Sequence, residues 1–127
     1  DPLIAPVCQR INESGWVATA ESCQGHPDWP DALGPWAGNV DPFLRLTCHG
    51  SDLGRMLAAL VVACGPDELG RRAVPLRMQL DGRGGEWSQV YVYAPVAWVG
   101  QRTEALAAFS RFAERINAQT GPPQPAR

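Results

Sequence analysis

Two alternating runs on either side of a glycine-rich stretch constrain the fold of this chain more than any other feature. Residues 74–80 place an apolar side chain at every second position, and Trp87–Tyr93 alternates with the same period. Residues 81–85, DGRGG, are of types that accept positive φ. A period of two is typical of a strand with one buried face, and a glycine-rich connection suits an antiparallel turn. The sequence therefore predicts a β-hairpin.

The second strand of this hairpin would separate its side chains by chemical type. Val90, Val92 and Ala94 share one face, whereas Trp87, Gln89, Tyr91 and Tyr93 share the other. If the aliphatic set faces the core, three aromatic residues lie on the opposite face, with Arg77 and Gln79 on the neighbouring strand. Trp, Tyr and Arg are enriched at the energetic centres of protein interfaces. The alternative is that a helix covers the aromatic set and makes it ordinary core.

Hydrophobic periodicity predicts five further elements along the chain. They are a helix over 6–14 stopped by Gly15, a strand over 16–23, a strand over 43–48, a helix over 53–63 and a helix over 103–118. Ser51 or Asp52 would cap the second helix. Because Val61 and Val62 are β-branched, a strand is the alternative prediction for this segment. We expect an α+β fold: a mainly antiparallel sheet with two or three helices packed on one side, stabilised by disulfides.

The chain has the length and composition of one domain. Its 127 residues are 45% hydrophobic, which suffices for a single core without a cofactor. We assign a single α+β domain to residues 1–120 and a flexible, proline-rich tail to 121–127. Residues 24–42, rich in glycine and proline, form a long loop that carries Trp29 and Trp36. Long loops are often functional, although both indole rings could instead fold over one end of the core.

Charge and hydropathy exclude two classes of partner. The formal net charge is −2, and all eleven basic residues are arginine. Without a basic field we expect no nucleic-acid binding. No apolar run approaches the roughly 20 residues that a membrane-spanning helix needs. The start at Asp1 without methionine fits a chain released from a signal peptide, and also a cloned fragment.

Four cysteines, Cys8, Cys23, Cys48 and Cys64, favour two disulfides in an oxidising compartment. We favour Cys8 with Cys23 and Cys48 with Cys64, because each pair closes a short local loop. Each such closure stabilises the folded state by about 3 kcal/mol. Cys23 with Cys48, across adjacent strands, is the main alternative pairing. Free buried thiols are a further alternative.

Two histidines create the remaining chemical alternatives. Cys23 and His26 form a C-x-x-H pair, and Cys48 directly precedes His49, so a zinc site could be drawn from these four residues. Consecutive residues of a strand, such as Cys48 and His49, point to opposite faces. We therefore expect no metal site. His49, Ser51 and Asp52 supply the residue types of a catalytic triad. Triads are normally assembled from residues far apart in sequence, so a strand end followed by a helix cap explains these residues more simply. We expect no enzyme and no catalytic residue.

Two resemblances suggest a role. The succession of Cys8, Gly15-Trp16 and Cys23 resembles a pattern in accessory proteins of type IVb pilus assembly, where a cysteine-bearing helix leads into a Gly-Trp strand. In size and chemistry the chain is also similar to periplasmic immunity proteins, which neutralise secreted toxins or cell-wall hydrolases. Both resemblances imply a periplasmic or secreted protein that binds another protein.

We therefore predict a bacterial periplasmic protein-binding protein, most simply an immunity or inhibitor protein. The alternative is a non-enzymatic module of an envelope secretion or type IV pilus system. We expect the partner to be contacted by the loop tryptophans and by the aromatic face of the hairpin. The predicted contact residues are Trp29, Trp36, Arg77, Trp87, Tyr91 and Tyr93.

Overall fold

The structure is a computed structural model, and it describes residues 2–23, 42–65, 76–84, 86–94 and 102–119. Its elements follow in chain order: α1 (Ala5–Glu13), β1 (Val17–Cys23), β2 (Phe43–His49), α2 (Leu53–Ala63), β3 (Arg77–Gly84), β4 (Trp87–Tyr93) and α3 (Arg102–Ala118). A single 3-10 turn, Gly50–Asp52, joins β2 to α2. The predicted loop at 24–42 lies almost wholly, and the predicted tail entirely, outside the described residues.

The four strands form one antiparallel sheet in the order β1-β2-β4-β3. The predicted hairpin is β3 and β4, but β4 also pairs with β2 along its whole length. Consequently β2 and β4 are the two central strands, and β1 and β3 are the edges of the sheet. The α+β class and the antiparallel sheet predicted from the sequence are confirmed.

The core lies between one face of the sheet and the three helices. Alternate residues of the central strands are at most 1% exposed, namely Leu44, Leu46, Cys48, Val90 and Val92. Facing them, Phe109 and Phe112 of α3 are fully buried. Helix α3 packs against both α1 and α2, so the helical layer runs α1-α3-α2 over the sheet. The predicted alternation of β2 and β4 between a buried and an outward face is thus confirmed.

The hairpin differs from its prediction at the turn. Residues 81–84 were predicted as loop, yet β3 continues to Gly84, which pairs with Trp87. The register shifts between Leu80 and Gly82 because a β-bulge absorbs one extra residue there. The connection is therefore much shorter than the predicted DGRGG loop.

Two local predictions concern helices. Gly15 has φ of 80°, the left-handed conformation expected of a glycine that ends α1. The strand alternative for Val61 and Val62 is wrong, since both belong to α2. Val61 is 64% exposed and Val62 is 46% exposed on the outer side of α2. Their β-branched side chains therefore belong neither to a strand nor to the core. None of the described helices is long and apolar enough to cross a membrane.

The predicted disulfides are not supported, because Cys8, Cys48 and Cys64 are free thiols. Cys48 faces the core from β2 and is fully buried. Cys64 follows the last turn of α2, where its Sγ accepts a hydrogen bond from the backbone N–H of Leu76 at 3.4 Å. The two cysteines therefore occupy different packing environments, and the Cys48–Cys64 pair is not formed.

The Cys8–Cys23 pair is not formed either, because Cys8 is a free thiol. Strand β1 contains a β-bulge: its register against β2 shifts between Thr19 and Glu21, and the backbone of Cys23 pairs with Phe43. Such a bulge changes the pairing of a strand in a way that spacing along the sequence does not show.

Candidate functional site

The face of the sheet opposite the helices carries the aromatic side chains of the described strands, of which Trp87 is exposed and the other three are half-buried. Cross-strand registers bring these residues into rows, such as Arg77 beside Tyr93 beside Phe43. We call this surface the aromatic face, and its members are Phe43, Arg45, Thr47, His49, Arg77, Gln79, Trp87, Gln89, Tyr91 and Tyr93. All three described helices pack on the other face.

Three of its rings form a contiguous cluster. The rings of Tyr91 and Tyr93 stack with centroids 5.0 Å apart and 23° between their planes. The ring of Phe43 tilts against Tyr91 at 5.3 Å. The Arg45 guanidinium lies 5.6 Å from the centroid of Tyr91 and pairs with the Glu21 carboxylate at 3.0 Å. Mutual packing fixes these side chains, so little rotamer entropy remains to be lost when they contact a partner.

Trp87 stands at the end of this face nearest the 3-10 turn. It is 55% exposed, an unusual degree for the largest apolar side chain. Its indole meets the His49 ring edge-on, with centroids 5.8 Å apart. The face therefore combines a packed cluster of rings at one end with a protruding indole at the other, and Arg77 borders it.

The structure gathers four of the six predicted contact residues on one surface: Arg77, Trp87, Tyr91 and Tyr93. The other two, Trp29 and Trp36, lie outside the described residues. Sequence reasoning missed the contributions of Phe43, Arg45 and His49. Phe43 and Arg45 alternate in the sequence with the apolar Leu44 and Leu46, which is typical of an outward face, but nothing in the sequence showed that β2 adjoins β4.

His49 and Ser51 approach each other closely, as an enzyme would require. The Nδ1 of His49 lies 2.7 Å from the Ser51 Oγ. The same Nδ1 accepts the backbone N–H of Ser51 at 3.2 Å, so the imidazole caps the 3-10 turn. On its other side, Nε2 is 3.9 Å from the Glu86 carboxylate, which is 82% exposed.

This histidine arrangement has the residue types of a triad and lies at a solvent-exposed end of β2. Nucleophilic catalysis gains most from a water-excluded site with preorganised oxyanion donors. His49 is 43% exposed, and neither His49 nor Ser51 lines the cleft between α1 and β1 or the apolar groove beside α2. The His49 cap of the 3-10 turn accounts for the contact. Asp52 occupies the N-cap position of α2, one of the two positions predicted, but its side chain makes no capping hydrogen bond to that helix.

The two cavities have different linings. One, of about 630 Å³, is an open cleft between α1 and β1 with a mixed polar and apolar lining. The other, of about 210 Å³, is an apolar groove whose described lining residues are Leu53, Gly54, Leu57, Met78, Leu80 and Val90. Leu57 and Leu80 at its rim are 48% and 43% exposed. Within the described part of the chain, no three His, Cys, Asp or Glu side chains are placed to hold a metal ion.

No protein-family model, no curated protein and no solved structure matches this chain.

Proposed function

We propose that this chain is a protein-binding protein, without catalytic activity of its own, and that the aromatic face contacts its partner. The observation that carries the proposal is the 55% exposure of Trp87 on the same surface as the Phe43, Tyr91 and Tyr93 rings. Aromatic side chains bury large area with few rotatable bonds, which makes them the usual anchors of protein interfaces.

Arginine on the same surface supports a protein partner over a small apolar ligand. Arg77 lies beside Tyr93 at the margin, and Arg45 stacks near Tyr91 towards the centre. Guanidinium groups next to aromatic rings recognise carboxylates and carbonyl groups in a fixed geometry. We infer a partner surface that offers an apolar pocket for Trp87 and acidic or carbonyl groups near Arg77, since Arg45 already pairs with Glu21.

The partner proposed first is a secreted toxin or cell-wall hydrolase, which the chain would neutralise in the bacterial periplasm as an immunity or inhibitor protein. Its small size supports this role, because an inhibitor of this kind needs only one preformed surface. Its net charge of −2 is also similar to that of small acidic immunity proteins. The second candidate is a subunit of an envelope secretion or type IV pilus system. The Cys8, Gly15-Trp16, Cys23 pattern favours that candidate, and the left-handed Gly15 gives the Gly-Trp pair a structural role.

The experiment is paired affinity capture from the envelope fraction of the host, with tagged wild-type protein, Trp87→Ala and Val61→Ala. Val61 is a matched control because it is 64% exposed but lies on α2, outside the aromatic face. We expect wild-type protein and Val61→Ala to recover the same partner, and Trp87→Ala to lose it. A hydrolase or toxin in equal amount would support the inhibitor role, whereas secretion or pilus subunits would support the assembly role.

The recovered partner then permits a direct affinity measurement. Truncation of an interface tryptophan that acts as an anchor costs about 2 kcal/mol or more, so Trp87→Ala should weaken Kd by about 30-fold. Equal Kd values for wild-type protein and Trp87→Ala, measured by calorimetry, would reject the aromatic face as the docking surface.

A further inference from the structure

The cleft between α1 and β1 lies at an edge of the sheet and is separate from the aromatic face. The described residues that line it are Ala5, Cys8, Gln9, Asn12, Glu13, Thr19, Ala20, Glu21 and Ser22. Small residues on both walls, Ala5 and Cys8 on α1 and Ala20 on β1, leave the space open. Its volume of about 630 Å³ lies within the range of ligand-binding sites in proteins.

The backbone of β1 borders this cleft as an edge strand. No other described strand lies beyond β1, so its outer N–H and C=O groups have no strand partner among the described residues. At one end, α1 takes the place of a strand: the Thr19 backbone N–H donates to Asn12 Oδ1 at 2.9 Å. Asn12 Nδ2 also donates to Thr19 Oγ1 at 3.0 Å. The Asn12 side chain thus closes the cleft at Thr19.

The bulge in β1 widens the space beyond this closure. The register shifts between Thr19 and Glu21, and Ala20 at the shift lines the cleft. A bulge bends and twists an edge strand, and it also re-aims the strand's outer backbone groups. The edge that follows Thr19 therefore faces an open volume instead of a packed helix.

The charges around the cleft are acidic. Glu13 and Glu21 are its only charged lining residues among those described. Arg10 is shared between Glu13 at 3.2 Å and Glu114 at 2.7 Å, so this group of three carries a net negative charge. Glu21 pairs with Arg45 on the aromatic face. A positively charged occupant is favoured over an acidic one.

We propose that the α1–β1 cleft binds an extended, positively charged segment of another polypeptide, which adds to the sheet as a strand beside β1. Main-chain hydrogen bonds to the edge of β1 would supply affinity, and the acidic side of the cleft would select lysine or arginine. The cleft and the aromatic face share the Glu21–Arg45 ion pair. Each proposal can still fail alone, because protection inside the cleft is measured with a peptide and without the partner of the aromatic face.

Cys8 provides a reporter inside the cleft. Its thiol is free and half-buried, as is that of Cys64, which lies outside the cleft and serves as an internal control. The probe is the synthetic peptide Lys-Thr-Val-Thr-Val-Thr-Val-Lys, and the readout is the rate of iodoacetamide modification at each cysteine, by mass spectrometry. We expect saturating peptide to slow modification of Cys8 by about tenfold, corresponding to an occupancy of about 90%, and to leave Cys64 unchanged.

Two controls separate strand addition from other contacts. A peptide with alternate amides N-methylated lacks the required N–H donors and should not protect Cys8. Ala5→Trp should fill the cleft and abolish protection, whereas Ala58→Trp, the same change at an exposed position of α2, should preserve it.

Three results would overturn the proposal. They are no saturable protection of Cys8, equal protection by the N-methylated peptide, and protection that persists in Ala5→Trp. A fourth is concentration-dependent protection without peptide, accompanied by dimers in sedimentation, because it would make a second copy of this chain the occupant.

Discussion

Arg55 joins three parts of the chain through one side chain. Its guanidinium lies 4.2 Å from the centroid of the Trp16 ring and 3.2 Å from the buried Asp52 carboxylate. It also donates to the backbone carbonyl of Gln119, directly after α3. A cation at the carboxyl end of a helix interacts favourably with the helix dipole. Trp16 in turn donates its Nε1–H to the Ile116 carbonyl at 3.2 Å, so both residues hold the end of α3.

We expect Arg55→Met to lower the free energy of unfolding by about 2 to 3 kcal/mol, because it removes a cation from a buried carboxylate and a stacking partner from Trp16. Arg55→Lys keeps the charge but loses the planar stacking and the forked donors, so its loss should be about half as large. Urea unfolding followed by Trp fluorescence measures both changes. Losses below about 0.5 kcal/mol for both variants would show that this network contributes little to stability.

A capping role and a catalytic role of the His49 imidazole predict different effects of mutation. Because the imidazole caps the 3-10 turn, His49→Ala should lower the free energy of unfolding by about 1 kcal/mol. His49→Asn should recover most of this loss, because the asparagine side chain also accepts a backbone N–H. Ser51→Ala should change stability by less than about 0.5 kcal/mol. A fluorophosphonate reagent should not label Ser51, and stoichiometric labelling abolished by His49→Ala would instead support a hydrolase.

At the scale of elements, the predicted local disulfides are replaced by free thiols, and a bulge interrupts β1. The pairing of Cys8 with Cys23 was predicted because it closes a short local loop, but Cys8 is a free thiol. The register of β1 against β2 shifts between Thr19 and Glu21. A bulge depends on how two strands pair, and no local pattern in residues 17–23 encodes it. The bulge in β3 has the same origin, and it explains why the predicted turn was too long.

The corrected assignment makes a prediction for thiol chemistry. Burial in the core, reinforced by the nearby Asp52 carboxylate, raises the pKa of the Cys48 thiol above its usual range. Since the thiolate is the reactive form, iodoacetamide should modify Cys8 and Cys64 in the folded protein and reach Cys48 only after unfolding. If Cys48 and Cys64 both resisted modification of the unfolded chain until a reductant was added, a disulfide between them would be present.

Elements with strong periodicity were predictable, but their arrangement was not. The alternation of β2 and β4 and the apolar stripe of α3 each follow from burial on one side. The strand order β1-β2-β4-β3, by contrast, depends on long-range pairing. That pairing brings Phe43 beside Tyr93 and His49 beside Trp87. For this reason the hairpin half of the aromatic face was predicted from sequence and the β2 half was not.

At the scale of the whole molecule, the two faces of the sheet differ in burial and in side-chain type. The layer of α1, α3 and α2 buries the aliphatic face and supplies the core. The aromatic face contributes Trp87 and the Tyr91–Tyr93 stack to the outer surface. Exposed aromatic area has a solvation cost, and a partner protein that buries it would recover that free energy. The proposed protein-binding role rests on this division.

Site-specific photocrosslinking tests the role of the aromatic face most directly. A benzoylphenylalanine residue would replace Trp87 in one variant and Val61 in another, and each would be illuminated in the envelope of the host. We expect the crosslinker at position 87 to form a single adduct with the partner protein, and the one at position 61 to form none. Adducts at position 61 without any at position 87 would contradict the account and assign binding to α2.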